Sequence, residues 1–300
     1  MVNAKYGVFV HYLNGLQNSS SSSRDLNQGK VTSWDQCVNE FNVNAFANDM
    51  ADAGAGYVIF TLMQLSKHMC APNTTYNTYT GYIEGQACST RDLINDLYSS
   101  LNAKGIGLML YTTGDGPALD TQAANGLGGW NGKTNPVFQS RWYNCMKEYS
   151  ERYGSKVLGW WVDGCYTYFG YTDSSLSDYS AYLKSGNPKA VVAFNPGVQT
   201  IDRYVSADDY TCGERTDLDD LCNGRWIDDC QWHCLTFLGQ DWGYTNTKYT
   251  NEQLIDYVRS IKVHQGAVTF DVGLYRDGTI SSSQKNQLMS LKNAIMLKLP

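Results

Sequence analysis

Histidine, proline and paired cysteine motifs are scarce in this chain, and each shortage removes a class of function. Four His and no CxxC pair provide no ligand set with zinc spacing, so neither a metal site nor a cofactor is expected. No GxGxxG or GxxxxGK loop follows any apolar run, which argues against a doubly wound nucleotide-binding sheet. The 23 Lys and Arg residues are scattered and the net charge is −6, so nucleic acid and anionic membrane surfaces are not expected partners. No apolar run approaches the ~20 residues that cross a bilayer. Met1-Val2-Asn3 leads almost directly into a strand pattern, without a signal peptide.

Cysteine itself is plentiful. Nine Cys, only 17% charged residues and abundant Tyr, Ser, Thr and Asn fit an oxidising, secreted context. The spacings Cys70/Cys88, Cys212/Cys222 and Cys230/Cys234 are candidate bridges, and the odd count leaves one thiol over. Asn18-Ser19-Ser20 and Asn73-Thr74-Thr75 are glycosylation sequons for a eukaryotic host.

Strand-like and helix-like patterns alternate along the whole chain. The expected strands are residues 5–11, 57–62, 106–111, 157–163, 190–195, 203–209, 231–235 and 267–272. Between them lie helices with recognisable ends. Asn42 caps a helix that Gly54 closes, Asn135-Pro136 opens one that runs to Tyr153, and Thr250-Asn251-Glu252-Gln253 is a capping box. A last helix is expected over residues 282–299. Eight such repeats with right-handed crossovers predict an α/β fold, a (β/α)8 TIM-type barrel, as a single domain over residues 1–300. The long excursion from Met63 to Ser89 is expected on the substrate rim.

In such a barrel the C-terminal strand ends open onto the active site, so polar residues at strand tips are the candidates. The foremost is Asp163, which ends the run Val157-Leu158-Gly159-Trp160-Trp161-Val162 and precedes Gly164. An Asp beside Gly also opens turns or caps helices. His11, Tyr111 and Asn195 hold equivalent strand-end positions. Trp161, two residues before Asp163, shares its direction and can offer an apolar face to a sugar ring, while Trp160 packs outward. Trp232 either lines the pocket or is simply buried.

These segments together resemble the α-L-fucosidases of glycoside hydrolase family 29. Lys5 to Tyr12 is similar to that family's opening strand, Ala53 to Thr61 to its second, and Asp92 to Tyr111 to its third helix-strand unit. Trp161-Val162-Asp163-Gly164 resembles the strand that carries the family's nucleophile, and Asp271-Val272-Gly273 with Asp277-Gly278-Thr279-Ile280 its last strand and loop. Where the family has a His-His pair after the second strand, this chain has Leu62-Met63-Gln64-Leu65, which leaves Gln64 or a returning His68 to bond the sugar. The family's Trp-Glu pair is Trp232-His233 here, and no C-terminal β-sandwich follows the barrel.

The resemblance implies a retaining glycosidase that uses two carboxyl groups, one to attack the anomeric carbon and one to protonate the departing oxygen. It makes Asp163 the nucleophile and Glu214, in Thr211-Cys212-Gly213-Glu214-Arg215, the acid/base. Asp209, Asp228 and Asp229 are alternative acids, and Arg215 could simply pair with Glu214. The expected partner is a carbohydrate, an α-L-fucoside or a related sugar. A different specificity (α-L-galactoside, β-L-arabinoside, or endo-action on a fucose-containing polysaccharide) and a catalytically inactive carbohydrate-binding barrel are the other readings.

Overall fold

Nine strands and nine α-helices are distributed through residues 1, 3–4, 6–17 and 31–296, the residues that the computed structural model describes. The strands are β1 (Gly7–Val10), β2 (Tyr57–Thr61), β3 (Gly107–Thr113), β4 (Val157–Asp163), β5 (Val191–Phe194), β6 (Trp226–Ile227), β7 (Cys230–Gln231), β8 (His233–Phe237) and β9 (Ala267–Val272). The helices are α1 (Trp34–Glu40), α2 (Val43–Ala53), α3 (Thr74–Thr80), α4 (Leu93–Asn102), α5 (Thr121–Gly126), α6 (Pro136–Tyr153), α7 (Asp173–Leu183), α8 (Asn251–Val263) and α9 (Ser282–Met296). Lys5, the first sequon, the serine run and residues 297–299 of the expected last helix lie outside the described residues. No described helix is long and apolar enough to cross a membrane.

Helix ends form where short-range chemistry predicts them. The Asn42 side chain accepts from the Ala45 N–H at 3.0 Å, and Gly54 closes α2 at φ 78°. Asn135 accepts from the N–H groups of Val137 and Phe138 at N-capped α6, and Thr250 and Gln253 form a reciprocal capping box on α8. Asn73, the second sequon, caps α3 and is fully buried, with its amide donating to the Cys145 carbonyl, so it is no glycan acceptor in the folded protein.

Seven strands build one parallel sheet in the order β5-β4-β3-β2-β1-β9-β8. Apolar residues of both faces are buried, as in sheets covered by crossover helices. Val8, Val58, Leu108, Trp160 and Val268 pack toward the helices; Phe9, Ile59, Met109, Trp161 and Leu235 pack together on the inner face. A bulge in the β3–β4 pairing decides which face Asp163 takes: Leu108 pairs with Val157 but Leu110 with Trp160, so β4 spends one extra residue near Gly159. Val157 faces the helices, and strict alternation would send Asp163 the same way; the extra residue turns Trp161 and Asp163 inward. Gly159 is required there, because a Cβ would lie 2.6 Å from the Val191 carbonyl oxygen and 2.7 Å from Met109 Cε.

Two strand expectations change. Residues 203–209 are not a strand, and the seventh strand runs His233–Phe237, preceded by the β6–β7 hairpin. Between the sheet's edges β5 and β8 passes the segment 208–215, which forms only isolated bridges, Tyr210 to Gln231 and Glu214 to Leu235. The Asp209 N–H donates to the Val192 carbonyl at 2.9 Å, whereas the Val192 and Phe194 N–H groups donate to the carboxylates of Asp209 and Asp208 at 2.8 and 2.9 Å. On the β5 side carboxylate oxygens take the place of strand carbonyls, while toward β7 and β8 the segment keeps backbone bonds, from the Thr211 N–H to the Gln231 carbonyl and from the Leu235 N–H to that of Gly213. That is why no apolar strand pattern marks it.

The expected disulfides do not form. All nine cysteines are buried free thiols. Cys70 donates to the Thr61 carbonyl, Cys222 to that of Gly224, and Cys234 accepts from the Tyr257 hydroxyl. Burial pushes the Cys88, Cys230 and Cys234 thiols up to about 12, which keeps them protonated. The cysteine count therefore reflects core packing and is no argument for secretion.

Candidate active site

Asp163 stands at the C-terminal tip of β4, half-buried, and each of its oxygens is held. Oδ2 accepts from the Tyr111 hydroxyl at 2.8 Å; Oδ1 accepts from the Gly164 N–H (2.8 Å), the Asn195 Nδ2 (2.9 Å) and the Tyr166 hydroxyl (3.0 Å). Such a cluster of donors fixes the orientation of the carboxyl group. The turn at Gly164, with φ 64°, lets its N–H reach back to the side chain before it.

Glu214 arrives from the seam. Gly213, at φ 60°, lets the chain pass β8 so closely that a Cβ would lie 2.0 Å from the His233 carbonyl oxygen, and Glu214 bridges to Leu235 immediately after. Its Oε2 accepts from Asn195 Nδ2 at 2.6 Å. One nitrogen therefore serves both carboxyl groups, and its two bonds of 2.9 and 2.6 Å hold those oxygens within about 5.5 Å of each other. Burial, reinforced by the negative charge of Asp163, raises the Glu214 pKa; the Asn195 bond and the nearby His11 oppose the shift. Arg215 turns away to Asp220 at 2.6 Å and Asp219 at 3.6 Å, so it does not neutralise Glu214.

His11 follows β1, and its Nδ1 lies 2.8 Å from Oδ1 of fully buried Asp271, whose Oδ2 accepts from the Gly243 N–H. An Nδ1–H donated to Asp271 leaves Nε2 as the acceptor. Gln64 donates from Nε2 to the Tyr111 hydroxyl at 2.7 Å, so Gln64, Tyr111 and Asp163 form one relay. His68 does not join it: it packs on Trp34 and, with Gln64, lines an adjoining cleft of about 380 Å³.

Neither candidate tryptophan offers a face to the site. Trp161 does share the direction of Asp163, but it is 2% exposed, stacked on Tyr111 (5.4 Å, 14°) and bonded through Nε1 to the Cys212 carbonyl. It floors the site and has no open face for a sugar. Trp232 lies at the opposite, N-terminal end of β8, packs in the outer core and borders a separate cleft of about 410 Å³ with Asp202, Asp220 and Trp226. Inner-face alternation explains this, since Leu235 and its neighbour His233 point inward and Trp232 must point out.

Of the alternative acids, Asp209 is tied to Val192 and Lys184, and Asp228 and Asp229 form the β6–β7 turn at φ 48° and 62°. Three site residues escaped the sequence argument. Tyr166 bonds Asp163, and Trp242 packs 5.9 Å from the His11 ring; both come from loops without a periodic pattern. Asp115, after β3, is buried beside Asp163 with Oδ1 unpartnered among the described atoms, and burial raises its pKa to about 7.

The family model for α-L-fucosidase matches residues 31–294. The chain belongs to the α-L-fucosidase family. No curated protein matches it at significance. Among solved structures it is similar to an endo-fucoidan hydrolase of glycoside hydrolase family 107 (16% identity, 97% of this chain and 91% of that chain, TM-score 0.68). It is similar also to a family 29 α-L-fucosidase from Bacteroides thetaiotaomicron (16%, 97% and 71%, TM-score 0.66) and to the α-L-fucosidase AlfC in complex with Fuca(1,6)GlcNAc (15%, 99% and 97%, TM-score 0.66). At these identities the likeness is one of fold. As a member of the α-L-fucosidase family the protein is a glycoside hydrolase with a fucose-related carbohydrate substrate.

Proposed function

We propose that the protein is a retaining glycosidase acting on α-L-fucosides, with Asp163 as nucleophile and Glu214 as acid/base. The observation that carries this is the pair of carboxyl groups on one Asn195 nitrogen, which keeps their nearer oxygens within about 5.5 Å of each other, a spacing compatible with double displacement. Asp163, with its ring of donors, is the anion that attacks the anomeric carbon; Glu214, buried and beside a negative charge, holds the proton that leaves with the aglycone. Water, deprotonated by Glu214, then hydrolyses the glycosyl-Asp163 ester. The His11–Asp271 pair and the Gln64–Tyr111 relay supply hydrogen bonds to sugar hydroxyls. We take segment 208–215 as the sixth stave of an eight-fold barrel, since it delivers Glu214 to the face where Asp163 stands.

The test is turnover of α-L-fucosyl fluoride and trapping with 2-fluoro-fucosyl fluoride. Mass spectrometry should place the adduct on the peptide containing Asp163, and Asp163→Asn should lower kcat by at least about 10⁴-fold. An adduct elsewhere, or full activity of that variant, would reject the assignment.

A further inference from the structure

The loop that follows Asp163 carries a run of aromatic rings, of which the chemistry above uses only the Tyr166 hydroxyl. Tyr166, whose hydroxyl bonds Asp163 Oδ1 at 3.0 Å, stacks on Tyr168 with ring centroids 5.0 Å apart and planes at 21°. Tyr168 is nevertheless 65% exposed, among the most exposed large side chains described. Solvent exposure of a Tyr stacked on only one side leaves area that a ligand can cover.

The backbone beneath holds these rings in place. Thr167–Phe169 form one 3-10 turn, closed by bonds from the Phe169 N–H to the Tyr166 carbonyl (3.0 Å) and from the Gly170 N–H to that of Thr167 (2.9 Å), with Gly170 at φ 87°. Phe169 is wedged edge-on against Tyr168 (4.6 Å) and Trp130 (5.1 Å), and its carbonyl accepts from the Thr134 N–H. A platform fixed in this way loses little freedom when it is covered.

We propose that Tyr168, backed by Tyr166, is a binding platform for a second pyranose ring, the sugar unit adjoining the one cleaved. This rests on the function proposed above and deepens it: the substrate is a glycan of two or more sugars. A pyranose has one face of C–H groups, which suits an aromatic face, while its hydroxyl edge stays in water at an exposed site. The bond from Tyr166 to Asp163 sets the platform next to the reacting sugar.

α-L-Fucosyl fluoride has no second sugar and serves as the internal reference. Wild type, Tyr168→Ala and Tyr168→Phe are compared on the fluoride and on a fucosyl-oligosaccharide. Tyr168→Ala is expected to lose about tenfold in kcat/KM on the oligosaccharide, mainly through KM, and to keep the wild-type rate on the fluoride. Tyr168→Phe, which retains the ring, should keep both. An unchanged oligosaccharide rate in Tyr168→Ala, or equal losses on both substrates, would overturn the platform. Failure of wild type on the fluoride is a separate result, which would sink the fucosidase function and the platform with it.

Discussion

Asp163 and Glu214 accept hydrogen bonds from one atom, Asn195 Nδ2, at 2.9 and 2.6 Å. Asn195 is fully buried at the end of β5, and its own N–H is bonded to the Val162 carbonyl at 2.7 Å, so the shared donor is held by the strand next to Asp163. Asn195→Ala should therefore lower kcat/KM by about 10²–10³-fold. Its bond holds the Glu214 pKa down, so the variant's basic limb should move to higher pH. A pH–rate profile of the residual activity with an unmoved basic limb would contradict this.

Asp115 gives a stability prediction with a definite sign. Burial, with a smaller contribution from the Asp163 charge, raises its pKa to about 7, above the carboxylate value of the unfolded chain. Between about pH 4 and pH 7 the folded protein holds a proton that the unfolded chain has released, so stability falls as pH rises through that window. Asp115→Asn removes this contribution. Urea unfolding should find the variant more stable than wild type at pH 8, by on the order of 2–4 kcal/mol, with the gap closing toward pH 4. A gap that does not vary with pH would show the reverse.

Gly159→Ala tests the bulge. Contacts of 2.6 and 2.7 Å force β4 to shift or re-register, at a cost of roughly 1–3 kcal/mol. A shift of one residue would turn Asp163 toward the helices, so the loss of activity should exceed what the fraction of unfolded protein accounts for. Thermal melts and kcat on the soluble fraction check this; a melted but fully active fraction would not fit.

Thiol titration tests the cysteine state. Denatured without reductant, the protein should react with nine equivalents of Ellman's reagent, and natively only slowly, since burial keeps the thiols protonated. Dithiothreitol should leave Tm unchanged. A titre of seven or fewer would reveal a bridge.

Much of this protein is legible in its sequence because local chemistry dictates it. The caps at Asn42, Asn135 and Thr250 depend on hydrogen bonds within three residues, and the apolar runs of β2, β4 and β9 need only burial on both faces. Asp163, His11, Tyr111 and Asn195 could be picked out because parallel strands present their C-terminal tips to one face. Gln64 came from family resemblance alone, and Glu214 from that resemblance together with its place after an expected sixth strand, for neither lies in a periodic pattern.

Other features depend on residues far apart in the chain. The seam over 208–215 joins β5 through the carboxylates of Asp208 and Asp209, and such polar residues carry no strand signal. Trp161 reads as a sugar-facing aromatic and Trp232 as either that or a buried one, but Trp232 lies outside the sheet and Trp161 beneath Tyr111. Close cysteine spacings suggested bridges, yet separation along the chain says little about where two sulfurs end up. Short-range pattern determined which segments are strands and helices and which tips are polar; long-range packing decided that a bulge at Gly159 turns one carboxylate inward and that a single asparagine joins it to a second, because register and contact are properties of neighbouring strands and not of one segment.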